Sequence, residues 1–430
     1  MQIISRLFWK FCLPLMFITA VQSFAASGPA LKVQPDRKDC LYSCGDTVIF
    51  TVKIDNPGAR QNEAVLSYRL TEDGQTLLDK GSRTPDGSPV VIRGSLDRPG
   101  FLRLDLTLTT RTDTVRESCA CGYDPESIRH TNRMPDDFHR FWRNARAELM
   151  RIPLDAVCEE APEKEDPNSV CYSVSLANIE GSRVYGWLRI PKGKGPWPAV
   201  VYVPGAGVGD VGTHQEYAAA GLAVLSLEVH GVPLGRDEQF YEILRDGVLQ
   251  DYKYFGSDDP YRFYYRRVIL GVIRGIDYLC SRADVDSLRV GIAGSSQGGA
   301  LSLLVSGLDK RIKALTANVP AMCDHTGSLY GRPSGWPRLL ANGEAERVLR
   351  TSGYYDAALN AGLISVPALM AVGFVDQVCA PTSVYAAFNN LRGPKQIDNF
   401  PGMGHSFGPG WQDKAIGWML NTLNRCAPKE

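Results

Sequence analysis

The chain has 430 residues, 44% of them hydrophobic and 22% charged, and its 47 basic and 47 acidic side chains give a formal net charge of zero. This is the composition of a globular protein with a buried core, and the length is sufficient for two domains. Without a basic excess the chain is not built for nucleic acid or an anionic membrane surface, and the expected ligand is neutral or small.

Arg6 and Lys10 precede a mostly apolar run from Phe11 to Val21, and Ser23 and Ala25 are spaced as a signal-peptidase site requires. The run is shorter than the roughly 20 residues of a spanning helix. Residues 1–26 are therefore expected to be a secretory leader and the mature protein periplasmic or secreted, with a retained N-terminal anchor as the alternative. No cysteine follows the cleavage point closely enough for a lipid anchor, and no later segment is apolar for long enough to form an integral membrane span. Eleven cysteines suit an exported chain. Once Cys12 leaves with the leader, Cys40 with Cys44, Cys119 with Cys121, and Cys158 with Cys171 are candidate disulfide residues, their connectivity open. The C-x3-C and C-x-C spacings of the first four are not zinc spacings, so no metal is expected there.

Residues 30–122 read as short β-strands. Thr47–Ile54 is followed by a turn at Asn56-Pro57-Gly58, Val65–Leu70 leads to Asp73-Gly74, and Phe101–Leu108 alternates with a period of two. The spacing predicts a small immunoglobulin-like β-sandwich with no catalytic constellation of its own: an accessory or packing module, or a glycan-binding one. Met134–Met150 predicts an amphipathic helix with Pro135 at its start and Phe138, Phe141, Trp142 and Leu149 as its main apolar residues. Strands and helices then alternate over residues 134–430. Strands are expected at Ala199–Val203, Leu222–Leu227, Arg289–Ala293, Ala314–Val319 and Pro367–Val372, with helices at Gln215–Ala220, about Tyr261–Cys280 and Trp411–Asn424. That order implies an α/β fold, a mostly parallel sheet covered on both faces.

Gly294-Ser295-Ser296-Gln297-Gly298 fits G-x-S-x-G between a hydrophobic strand and a helical run, the context of a nucleophile elbow. Ser296 is the expected nucleophile. A serine hydroxyl needs a base, and the base needs an orienting acid, in the chain order serine, acid, histidine. His405, in the loop before the last helix, and Asp376, after a late strand, stand in those places. Asp324 and His325 form a competing pair one strand earlier and are kept as pocket or supporting residues. Backbone N–H groups of Gln297, just after the nucleophile, and of Ala206, in the loop Pro204-Gly205-Ala206-Gly207, are expected to form the oxyanion hole. The glycines from Gly205 to Gly212 lack the G-K-[ST] ending and the G-x-G-x-x-G spacing of nucleotide loops.

From Met134 to its end, the chain resembles the acetyl xylan esterase and cephalosporin C deacetylase family (carbohydrate esterase family seven) of the α/β-hydrolase fold. The resemblance is carried by PDDFHRFW from Pro135, YGWLRIPK from Tyr185, YYRRVILGVIRGIDYL from Tyr264, the Ser-Gln-Gly-Gly elbow, VPAMCD from Val319 and DQVCAPTSVYAAFN from Asp376. It implies a triad at Ser296, Asp376 and His405, no metal or other cofactor, and acetate release from small acetylated sugars or short xylo-oligosaccharides. It also implies that Cys323 and Cys379 are free thiols. A homo-oligomer, the family's ring-shaped hexamer, is implied too, although the added N-terminal domain would obstruct it. The chain departs from the family at His230-Gly231-Val232, in place of Arg-Gly-Gln, which marks His230 as a candidate pocket residue. It departs again at Pro204-Gly205-Ala206, in place of His-Gly-Tyr, and at Ser406, in place of glutamate. A prolyl-oligopeptidase-like serine peptidase, a serine hydrolase of another ester, and a non-catalytic glycan-binding module are the alternatives. About 90 residues of β-structure are too few for the propeller of the first.

Overall fold

The computed structural model describes residues 29–55, 64–340 and 346–426. The leader expected over residues 1–26, with Cys12, and the turn at Asn56-Pro57-Gly58 lie outside these. No helix among the described residues is long and apolar enough to cross a membrane.

The N-terminal region holds β1 (Ala30–Pro35), β2 (Leu41–Tyr42), β3 (Val48–Asp55), β4 (Val65–Glu72), β5 (Thr76–Arg83), β6 (Val90–Gly94), β7 (Gly100–Thr109) and β8 (Thr114–Tyr123). They form two sheets, ordered β1-β3-β6 and β2-β8-β7-β4-β5. The period of two sets which face each residue takes. On β7, Leu102, Leu104, Leu106 and Leu108 are buried in the same core as Val48, Phe50 and Val52 of β3. Phe101, Arg103 and Asp105 point the other way.

The cysteine pairs do not fall as their spacing suggests. Every cysteine among the described residues is a free thiol. Pairing of Leu41 with Gly122 in the β2–β8 ladder puts Cys40 against Cys119 and Cys121, whereas Cys44 turns away, its N–H donating to Asp124 Oδ2 at 2.9 Å. A Cys158–Cys171 bridge is excluded by register. Cys158 faces Val174, so Cys171 lies three positions along the next strand and on the opposite face, beyond the reach of a disulfide.

A nine-stranded sheet follows: β9 (Val157–Glu160), β10 (Ser169–Ala177), β11 (Arg183–Pro191), β12 (Trp197–Val203), β13 (Ala223–Glu228), β14 (Val285–Ser295), β15 (Ile312–Asn318), β16 (Ala368–Gly373) and β17 (Lys395–Phe400). Its order is β17-β16-β15-β14-β12-β13-β11-β10-β9, parallel from β17 to β13 and antiparallel from there to β9. The sheet is thus mostly parallel, as expected, with an added antiparallel edge. Successive strand residues serve opposite faces. Ala199, Val201 and Leu225 join the core with the helices Tyr264–Ser281 and Gln297–Leu308, while Val200, Val224 and Ala293 pack on Met419 and Leu423 of the closing helix Trp411–Arg425. The first helix begins at Phe138 rather than Met134, and it buries Phe138, Phe141, Trp142, Ala145 and Leu149 at the expected spacing.

Candidate active site

The elbow turns between β14 and the helix Gln297–Leu308. Ser296 sits there with φ 55° and ψ −119°, a left-handed conformation that non-glycine residues rarely adopt. Its N–H donates to Asn318 O at 2.9 Å, and its own carbonyl accepts from Ala321 N–H at 3.0 Å. The flanking glycines are required by space. A Cβ on Gly298 would stand 2.0 Å from Val203 O, and one on Gly294 would stand 2.4 Å from the backbone of Gly298. The turn is therefore pressed onto the end of β12, leaving the serine hydroxyl half-buried above the carboxyl ends of the parallel strands.

The three expected triad side chains come together. His405 Nε2 lies 2.9 Å from Ser296 Oγ, and His405 Nδ1 lies 2.8 Å from Asp376 Oδ2. Asp376 is buried, and its other oxygen accepts from the N–H groups of Val378 at 2.8 Å and Cys379 at 3.0 Å. These bonds satisfy one oxygen within the loop and leave the other for the imidazole. Asn318 joins the two halves of the site, its amide donating to Ser295 Oγ at 2.8 Å and to Ser406 O at 3.1 Å. Cys379, one of the two thiols the family resemblance marks as free, lies beside Ser296, and burial raises its pKa above the usual thiol value.

Gln297 and Ala206 are neighbours across the elbow. The Gln297 side chain is buried, accepting from Tyr252 Oη at 2.8 Å and Tyr265 Oη at 2.7 Å and donating to Gly205 O at 3.3 Å. Tyr252 Oη also accepts from Gly207 N–H at 3.3 Å. The loop is thus held on both sides of Ala206, whose N–H has no backbone acceptor among the described residues. At the first turn of the next helix the N–H groups are likewise free.

His230 lies behind that loop. Its Nε2 donates to Gly207 O at 2.9 Å, which in the neutral imidazole leaves Nδ1, 2.7 Å from Tyr264 Oη, as the acceptor. Burial, with the Arg267 guanidinium nearby, lowers its pKa to about 4. A histidine depressed from 6.5 supports the fold fully above pH 6.5 and loses that support as pH falls towards 4, because the unfolded chain takes up the proton first. At 1.36 kcal/mol per unit the span is worth about 3 kcal/mol. The neighbouring Glu228, raised to about 7 by burial, acts with the opposite sign over part of this range, so the histidine is isolated by difference. The stability advantage of the parent over His230→Gln, measured by thermal unfolding, should shrink progressively between pH 6.5 and 4. A constant advantage would contradict the neutral, buried state.

Asp324 takes a different place. It is buried with its Oδ1 accepting from Thr131 N–H at 2.6 Å and Thr131 Oγ1 at 2.8 Å and its Oδ2 paired with Arg332. It ties the interdomain linker to the loop after β15. His325 is also buried, both ring nitrogens without a partner among the described residues. Neither side chain bonds to Ser296, Asp376 or His405. Tyr252, Tyr265 and Asn318 escaped the sequence reading, and Cys379 was marked as a free thiol without a place in the site. The tyrosines lie in an aromatic-rich stretch that reads as core, and nothing local marks Asn318.

A family model described as Acetyl xylan esterase (AXE1) matches residues 126–422. Among curated proteins, acetyl esterase Axe7A of Xylanibacter ruminicola is 32% identical over 374 residues, covering 84% of this chain and 83% of its own. That share exceeds what residues 126–422 supply, so the match runs into the N-terminal sandwich. Among solved structures, the acetyl xylan esterase of Paenibacillus sp. R4 superimposes with a TM-score of 0.61 at 28% identity, over 69% of this chain and 98% of its own. Acetyl xylan esterase 1 of Thermoanaerobacterium sp. JW/SL YS485 does so with a TM-score of 0.58 at 27% identity, over 69% and 97%. These neighbours carry the α/β-hydrolase fold.

Proposed function

Since the chain belongs to the acetyl xylan esterase family and is a carboxylic ester hydrolase, we propose that it removes acetyl groups from acetylated xylan or xylo-oligosaccharides through an acyl-enzyme on Ser296. The observation that carries this reading is the continuous hydrogen-bond chain from Ser296 Oγ through His405 to Asp376, with bonds of 2.9 and 2.8 Å. His405 Nε2 takes the serine proton as Oγ attacks the acetyl carbonyl, and Asp376 holds the ring in the tautomer that leaves Nε2 free and stabilises the imidazolium. The N–H groups of Gln297 and Ala206 receive the negative charge that develops on the carbonyl oxygen. Collapse expels the sugar hydroxyl, which takes its proton from His405. Water, deprotonated by the same imidazole, then releases acetate and restores the serine.

The polar fixings around Gly205–Gly207 support this reading, because a preorganised donor pair costs no reorganisation during the reaction. With an export leader at residues 1–26, the enzyme would meet its substrate in the periplasm or outside the cell. The test is acetate release from acetylated xylo-oligosaccharides by the mature protein, with a short peptide and an aryl acetate in parallel. Acetate from the oligosaccharide and an intact peptide are expected. Hydrolysis of the aryl acetate alone would overturn the carbohydrate assignment while leaving the esterase in place.

A further inference from the structure

We propose that the N-terminal sandwich positions the catalytic acid, and that Arg103 on β7 is the positioning residue. The inference rests on the serine-esterase reading above, and it gives the accessory domain a role in turnover. Arg103 Nη1 donates to Val375 O at 2.8 Å, the carbonyl just before Asp376. The side-chain oxygen of Gln377, just after Asp376, accepts from Nη1 and Nη2 at 3.1 Å each when its amide faces the cation. One guanidinium thus holds both flanks of the acid. Its planar fork of N–H donors suits that double grip; an ammonium would reach one partner at a time.

The guanidinium is itself fixed. Its Nε donates to Asp105 Oδ1 at 2.8 Å, and the same oxygen accepts from Ser118 Oγ at 2.6 Å. Arg103 and Asp105 lie two apart on β7, on the face turned from the sandwich core towards the hydrolase. The contact does not stand alone. Asp73, at the β4–β5 turn, accepts from Thr382 Oγ1 at the start of the helix following the acid loop. Phe101 packs edge-on against Phe374 with ring centroids 4.9 Å apart. Ala120 N–H on β8 donates to Pro401 O at 3.3 Å, in the segment that leads to His405. The sandwich therefore braces the loops that carry the acid and the base. Asp376 needs such a brace because the loop's own bonds to its carboxylate involve one oxygen only, from Val378 and Cys379. Small displacements of a catalytic group carry large kinetic costs.

The test uses the whole mature protein, an aryl acetate, and active-site titration with a fluorophosphonate to count competent molecules. Arg103→Met combined with Asp105→Asn removes the ion pair together, so no lone charge is left in the contact. We expect kcat per titrated site to fall roughly 10- to 100-fold with KM within about twofold. The acidic limb of the kcat/KM profile should move to lower pH, because a loosened Asp376 stabilises the His405 imidazolium less. Arg103→Lys should recover part of the loss. An unchanged kcat and acidic limb in the double variant would overturn the proposal, as would a loss that follows only the number of titrated sites or lies wholly in KM. A Ser296→Ala control separates the two readings. If that variant stays active, the nucleophile assignment fails. If it is dead and the Arg103 variants are normal, the brace alone fails.

Discussion

Ser296→Ala should lower kcat on aryl acetates by on the order of 10⁴- to 10⁶-fold while shifting the unfolding temperature little. The hydroxyl is the only atom removed, and the strained backbone at φ 55° remains closed by the Gly294–Gly298 contact and the bonds to Asn318 and Ala321. The residual rate would come from the oxyanion donors and substrate binding, which survive the change, since the members of a triad act as a unit. A folded variant that kept even a tenth of parental activity would remove Ser296 from the mechanism and direct attention to other nucleophiles.

Asp376→Asn should cost about 10⁴-fold in kcat, again with the fold retained. The buried carboxylate accepts from Val378 N–H, Cys379 N–H and His405 Nδ1. In the asparagine variant the carbonyl oxygen takes the two backbone donors, and the amide nitrogen is left facing the imidazole. A donor there requires an acceptor at Nδ1, so the proton moves to Nε2. Nε2 can then no longer accept from Ser296 Oγ, 2.9 Å away. Single-turnover kinetics with an aryl acetate would show the loss in acylation. Loss of activity accompanied by unfolding would instead assign Asp376 a structural role.

The residues that could be read from sequence are those whose neighbours in the chain are also their neighbours in space. The elbow lies within one strand and one helix, and β7 and β12 to β16 have alternating or continuous apolar runs, so these strands and the triad's chain order were legible. The two outermost strands of the nine-stranded sheet were not. All of β9, Val157–Glu160, is exposed, and β17, Lys395–Phe400, has no buried residue, so neither shows an apolar signature. The cysteine pairs were misjudged because proximity in sequence says nothing about which face of a strand a thiol takes. Arg103 could not be read at all. Its partner, Val375, is 272 residues away, and a lone arginine on a sandwich strand has the ordinary look of a solvated side chain. His230 was visible only as a departure from a family pattern; the structure explains it as a pin on the Gly207 carbonyl.

The register that rules out a Cys158–Cys171 bridge leaves Cys158 exposed on the outermost strand, while Cys323 and Cys379 are sealed in the interior. Five strand spacings separate β9 from β14, roughly 24 Å at about 4.8 Å each. With Cys426, the other exposed thiol among the described residues, replaced by serine, Cys158 is therefore an attachment point: a maleimide dye or resin coupled there would hold the enzyme by an edge strand well removed from the one that leads into Ser296.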